Sequence, residues 1–146
     1  DEPTTALDVT LEAQILQLFR ELQRDIDGAI LFVSHNLGAI AEICDHVVVC
    51  YAGEVVEEAP VRTLFHRPRH PYIRALLACD PARIDGVARV LPAIPGETPV
   101  VTSPPKCCVF AARCSEATDV CRERVPTWHS LGAGHGVRCH HAAKGS

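Results

Sequence analysis

Residues 9–26, VTLEAQILQLFRELQRDI, return apolar side chains at helical spacing. Leu11, Ile15, Leu18, Phe19, Leu22 and Ile26 form one greasy stripe, with Glu12, Gln17, Arg20 and Arg24 elsewhere. The period predicts an amphipathic helix, capped by Asp8 or Thr10 and ended at Asp27-Gly28. AILFVS, residues 29–34, is a short continuous apolar run of the kind buried on both faces of a parallel sheet. SHNLGAIAEICD then predicts a helix entered from a polar turn. HVVVCYAGEVVEEA predicts two strands joined in a hairpin at Ala52-Gly53. Pro60 to Phe65 and Pro71 to Ala78 predict short helices, each with proline near the first turn.

Strand, helix and strand in alternation is α/β grammar. The strands are too few to complete a doubly wound domain, and the chain has no methionine. Both features lead us to expect the back end of a longer protein. From about 91 to 105 the texture changes: LPAIPGETPVVTSPP carries five prolines, which excludes helix and predicts an extended connector.

Composition narrows the function classes. The net charge of −4 gives no electrostatic footprint for nucleic acid, so none is expected as a partner. No apolar run approaches the ~20 residues that span a bilayer. Of eight cysteines, Cys44, Cys50 and Cys79 sit in apolar or helical surroundings and read as small buried hydrophobes. Cys107, Cys108, Cys114, Cys121 and Cys139 crowd into the last third.

The chain starts DEPTTALDVT, and an apolar run ending in Ser34-His35 follows about 25 residues after that motif. Two adjacent acids alone would be a solvated turn. In this order the elements closely resemble the second half of an ABC-transporter ATPase, with Asp-Glu closing a Walker B strand. The resemblance implies that Asp1 binds the Mg²⁺ of ATP, that Glu2 polarises the attacking water, and that His35 in VSHN is the switch histidine at the γ-phosphate. Ala6, Leu7 and Asp8 match the D-loop, which lies across the dimer interface. Phosphoryl transfer needs a metal to neutralise oxygens and a positioned group for water, so these residue types suit the reaction. No GxxxxGK[ST] loop and no LSGGQ-type signature occur here, so the chain by itself is expected neither to bind ATP tightly nor to hydrolyse it.

HRPRHPYIRALL, residues 66–77, and LPAIPGETP resemble the segment after the ATPase core in the oligopeptide/dipeptide and nickel importer subfamily. The resemblance implies a second ATP-binding subunit, transmembrane permease subunits and, indirectly, an extracytoplasmic solute-binding protein as partners. It also implies a peripheral position on the cytoplasmic face of the membrane. The expected organisation is α/β: the C-terminal portion of a P-loop NTPase domain over 1–65, an HPY helix and connector over 66–106, and a small, loop-rich cysteine extension over 107–146.

In that extension Cys108, Cys114, Cys121 and Cys139 are separated by five, six and seventeen residues. Spacing alone leaves iron–sulfur, zinc and free thiols level. Zinc knuckles use C-x₂₋₄-C spacing, absent here, although His135, His140 and His141 are available as donors. Importer ATPases of the resembled subfamily can carry a [4Fe–4S] cluster on four C-terminal cysteines. The resemblance therefore implies such a cluster on Cys108, Cys114, Cys121 and Cys139, with Cys107 a bystander. The rival class is a stand-alone, non-catalytic metal-binding module.

Overall fold

The computed structural model describes residues 1–80 and 92–142 and divides into two units, Asp1–Asp45 and His46–Ser146. In the first unit, helix α1 spans Val9–Asp25 and α2 spans Leu37–Ile43. The Asp8 carboxylate accepts the Leu11 N–H at 2.9 Å and caps α1, and Asn36 Oδ1 accepts the Gly38 and Ala39 N–H groups and caps α2. Asn36 also donates from Nδ2 to Glu12 Oε1 at 2.8 Å, and Arg20 pairs with Glu42 at 3.0 Å, so the two helices are laced together.

One expectation for this unit is refined and one is corrected. Burial on α1 falls on Leu16, outside the expected stripe, whereas Leu11, Leu18, Leu22 and Ile26 are exposed. A hydrophobic period states which residues share a face, not what covers it. Residues 29–34 form no strand, and Leu31 is 89% exposed. Their one backbone bond to the chain start, from the Glu2 N–H to the Val33 carbonyl at 2.7 Å, is too little for a ladder.

The second unit is built on a four-stranded antiparallel sheet in the order β1-β2-β4-β3, where β1 is His46–Tyr51, β2 Glu54–Pro60, β3 Trp128–Gly132 and β4 His135–Arg138. The β1–β2 hairpin turns through Ala52 (φ 49°) and Gly53 (φ 81°), both left-handed, as a type I′ turn requires. Tyr51 opposes Glu54 and Cys50 opposes Val55, but Val49 opposes Glu57, leaving Val56 as a bulge. The bulge breaks the two-residue alternation, so adjacent Val56 and Glu57 are both buried. β4 pairs with β2 at Glu57↔Val137 and Glu58↔Gly136, joining segments about 80 residues apart. Gly136 is required where it stands: a Cβ there would lie 2.3 Å from the Trp128 ring.

Helices α3 (Val61–His66) and α4 (Pro71–Ala78) follow the hairpin, and α4 has proline in its first turn. Phe110, 2% exposed, packs its ring against Tyr51 at 5.3 Å, Tyr72 at 5.4 Å and His70 at 5.9 Å. Residues 92–105 carry no regular element, and Arg113 holds this connector by donating to the Ile94 and Pro95 carbonyls, each at 2.9 Å. The cysteine segment is more regular than the loop-rich expectation: it holds a 3₁₀ turn at Ala111–Arg113, helix α5 at Asp119–Glu123, and β3 and β4. Sheet pairing with β2 supplies the order that its own small core cannot. No helix among the described residues is long and apolar enough to cross a membrane.

Candidate functional site

In the first unit, the chain start and the turn before α2 bring Glu2 and His35 together across 33 positions of sequence. His35 Nδ1 lies 2.7 Å from Glu2 Oε1. The other carboxylate oxygen accepts the Thr5 hydroxyl at 2.6 Å. Glu2 has φ 45°, an uncommon conformation for a residue with a side chain, and its N–H is tied to Val33. The hydrogen bond from Thr5, then that from His35, hold the Glu2 carboxyl below its ordinary value of 4.5, against a smaller opposing effect of burial. Glu2 is therefore an ionised acceptor at neutral pH, and its environment keeps it exposed enough to meet water.

Asp1 is exposed beside it. Asp8 is exposed and its carboxylate is engaged as the α1 cap, following a turn in which Ala6 adopts φ 66°. Thr5 escaped the sequence reading; its signal is a hydroxyl three residues after a candidate carboxylate, a spacing that allows such a local bond.

The second unit gathers Cys108, Cys114, Cys121 and Cys139. Burial pushes the Cys108, Cys114 and Cys139 thiols up, and the charge of neighbouring thiolates in this set pushes the same way. Opposing this, each of the three sulfurs accepts a backbone N–H from the residue two positions on: Phe110, Glu116 and His141 respectively. The Cys108 N–H donates to the Cys121 carbonyl at 3.0 Å, locking two of the loops together. Cys121 Sγ lies 3.6 Å from both Thr118 Oγ1 and His141 Nε2.

Among the described residues, no group of three or more His, Cys, Asp or Glu side chains converges closely enough to hold a metal ion. A tetrahedral zinc draws its sulfur donors to about 2.3 Å from one point, and this arrangement does not fit it. Two of the three available histidines are also committed elsewhere, His135 Nε2 to Glu57 Oε1 at 2.8 Å and His140 Nε2 to the Arg124 carbonyl at 3.0 Å, whereas His141 stays beside Cys121. Three of the four sulfurs receive backbone N–H bonds, and the described geometry by itself assigns the set no metal centre.

Glu57, fully buried, was also missed. Its carboxylate accepts the Arg69 N–H at 3.0 Å, the His70 N–H at 2.6 Å and the His135 contact above. A Glu in a strand with alternating neighbours reads as solvent-facing, and only the bulge turns it inward. His70, the first residue of the HPY triplet, accepts the Tyr72 N–H at Nδ1 and caps α4. Burial foremost, with Arg74 nearby, lowers its pKa from 6.5 to about 4, so it is neutral in the folded protein at pH 7.

Residues 56–121 match the family model described as the oligopeptide/dipeptide transporter, C-terminal region. The chain is 48% identical, over 95% of its length and 42% of the relative's, to a probable peptide ABC transporter ATP-binding protein of Sinorhizobium fredii. It is 46% identical to an oligopeptide transport ATP-binding protein of Bacillus subtilis, over 94% of this chain and 38% of that one. A dipeptide transport ATP-binding protein from the same bacterium is 43% identical over 95% and 41%. The chain thus spans about two-fifths of the length of these relatives.

Proposed function

Because the chain belongs to the oligopeptide/dipeptide family of ABC-transporter ATP-binding proteins, we propose that it is the part of such a subunit carrying the groups that act on the attacking water and on the γ-phosphate. In the full-length protein, ATP hydrolysis would be coupled to uptake of peptides. The observation that carries this reading is the 2.7 Å contact between His35 Nδ1 and Glu2 Oε1.

Glu2, ionised and anchored by Thr5, would orient water for attack. His35 would hold Glu2 in that pose and meet the γ-phosphate with the rest of its exposed ring. Asp1 would carry the Mg²⁺ that neutralises phosphate oxygens. Asp8, by capping α1, would fix the preceding turn against a second ATP-binding subunit. Permease subunits and, indirectly, a solute-binding protein would complete the machine on the cytoplasmic face of the membrane.

In this reading residues 1–65 supply the ATPase portion, 66–106 the HPY helix and connector, and 107–146 the cysteine extension. Cys108, Cys114, Cys121 and Cys139 would hold a [4Fe–4S] cluster, which when bound would cross-link the loops around α5 and the end of β4. A structural part suits the cysteines, three of whose sulfurs are already braced by backbone N–H groups. The rival, a stand-alone metal-binding module, draws no support from the geometry, since no described group of donors converges on an ion.

The test is Glu2→Gln in the full-length subunit. Turnover should fall by about 10² or more, the scale of losing a positioned general base, while nucleotide binding is retained. Unchanged hydrolysis would refute the role given to Glu2.

A further inference from the structure

The HRPRHPY segment contributes a cap and a helix start to the account above, but its two arginines have no part in it. They line a cavity of about 480 Å³ within the His46–Ser146 unit, where residues 67–74 meet the cysteine segment. That volume lies in the range of small-ligand pockets. Arg67, Arg69 and Arg74 bring three positive charges to its wall, Glu116 brings one negative charge, and Thr118, Cys139 and His141 of the cysteine segment complete it. Arg74 is paired with Glu116. The guanidinium groups of Arg67 and Arg69 make no hydrogen bond or ion pair with the described residues.

The backbone that carries them is held rigidly. The buried Glu57 carboxylate takes the N–H groups of Arg69 and His70, and Pro68 and Pro71 fix φ on either side. A wall ordered beforehand loses less entropy when a ligand arrives. Two guanidinium forks with no partner among the described residues, on a pre-organised turn, suit an oxyanion that accepts bidentate hydrogen bonds. Three guanidiniums against one carboxylate leave two positive charges, which match a phosphate group at neutral pH better than a monocarboxylate.

We propose that this cavity is a phosphate-binding site, for inorganic phosphate or a phosphomonoester headgroup, in which Arg67 and Arg69 hold the anion and Glu116 competes with it for Arg74. The site shares Cys139 with the cysteine set but is separate from the nucleotide chemistry assigned to Glu2 and His35 and does not depend on that assignment.

Calorimetric titration of the full-length protein with inorganic phosphate, beside acetate at equal ionic strength, tests it. Saturable binding of phosphate is expected, with none of acetate over the same range. The double variant R67Q/R69Q should weaken binding by about tenfold or more, the scale of losing charge-assisted hydrogen bonds. E116Q should tighten it several-fold, because a competing carboxylate is gone. R62Q, on α3 outside the cavity wall, should leave it unchanged. No phosphate binding by the parent protein overturns the proposal, and so does undiminished binding by a folded R67Q/R69Q. Should that variant not fold, a failure of E116Q to tighten binding overturns it instead. Sedimentation with phosphatidylcholine vesicles, with and without phosphatidic acid, identifies the source. Capture only by phosphatidic acid that free phosphate displaces assigns a headgroup, and no capture assigns the free anion.

Discussion

His70 shows how one buried side chain sets the acid stability of its unit. Its Nδ1 must stay unprotonated to accept the Tyr72 N–H, and burial has lowered its pKa from 6.5 to about 4. Between those values the unfolded chain binds the proton and the folded chain does not, so acid favours unfolding. The stability at stake is therefore complete above pH 6.5 and is lost as pH falls through about 4. The difference corresponds to about 3 kcal/mol. Urea midpoints over a pH series should show this slope in the parent chain. His70→Asn keeps a capping oxygen but cannot titrate, so its slope over that window should be flatter by about one proton. An identical slope in both proteins would show that His70 is not the group responsible.

At the scale of elements, the β1–β2 hairpin is specified twice, by alternating apolar positions and by its turn. Gly53 sits at φ 81° at no steric cost, whereas Ala52 at φ 49° carries a Cβ in a left-handed conformation. That conformation costs a non-glycine residue about 1–2 kcal/mol. Ala52→Gly should recover part of this, less the entropy glycine loses on folding, while Gly53→Ala should destabilise by about 1–2 kcal/mol. Thermal melts of the two variants against the parent check the opposite signs. The bulge at Val56 belongs to the same scale, because it turns Glu57 inward to clamp the segment that carries Arg67, Arg69 and His70.

For the molecule as a whole, the cysteine extension joins the hairpin at Glu57↔Val137 and Glu58↔Gly136, so a centre held by its cysteines would stabilise the entire second unit. Anaerobic purification should yield a brown protein containing iron and sulfide. Chelating the iron should lower the melting temperature, and Cys121→Ser should lose the colour while Cys107→Ser keeps it. A colourless protein with stoichiometric zinc would overturn that assignment. The sequence by itself determined what depends on neighbours along the chain: α1 with its Asp8 cap, α2, the Ala52-Gly53 hairpin, α4 with its proline, and the extended connector. It also singled out Glu2 and His35, through their order in a motif, and five crowded cysteines, of which the family resemblance chose Cys108, Cys114, Cys121 and Cys139. Tertiary structure alone decided which face of α1 is covered, and that residues 29–34 find no ladder partner in the described chain. It likewise decided that a glutamate in a strand is buried, that β4 pairs with β2, and that two arginines of the HPY segment line a cavity. The reason is physical. Caps, turns and periods are read from dihedral preferences within a few residues, whereas burial and pairing depend on groups brought together from up to about 80 positions away.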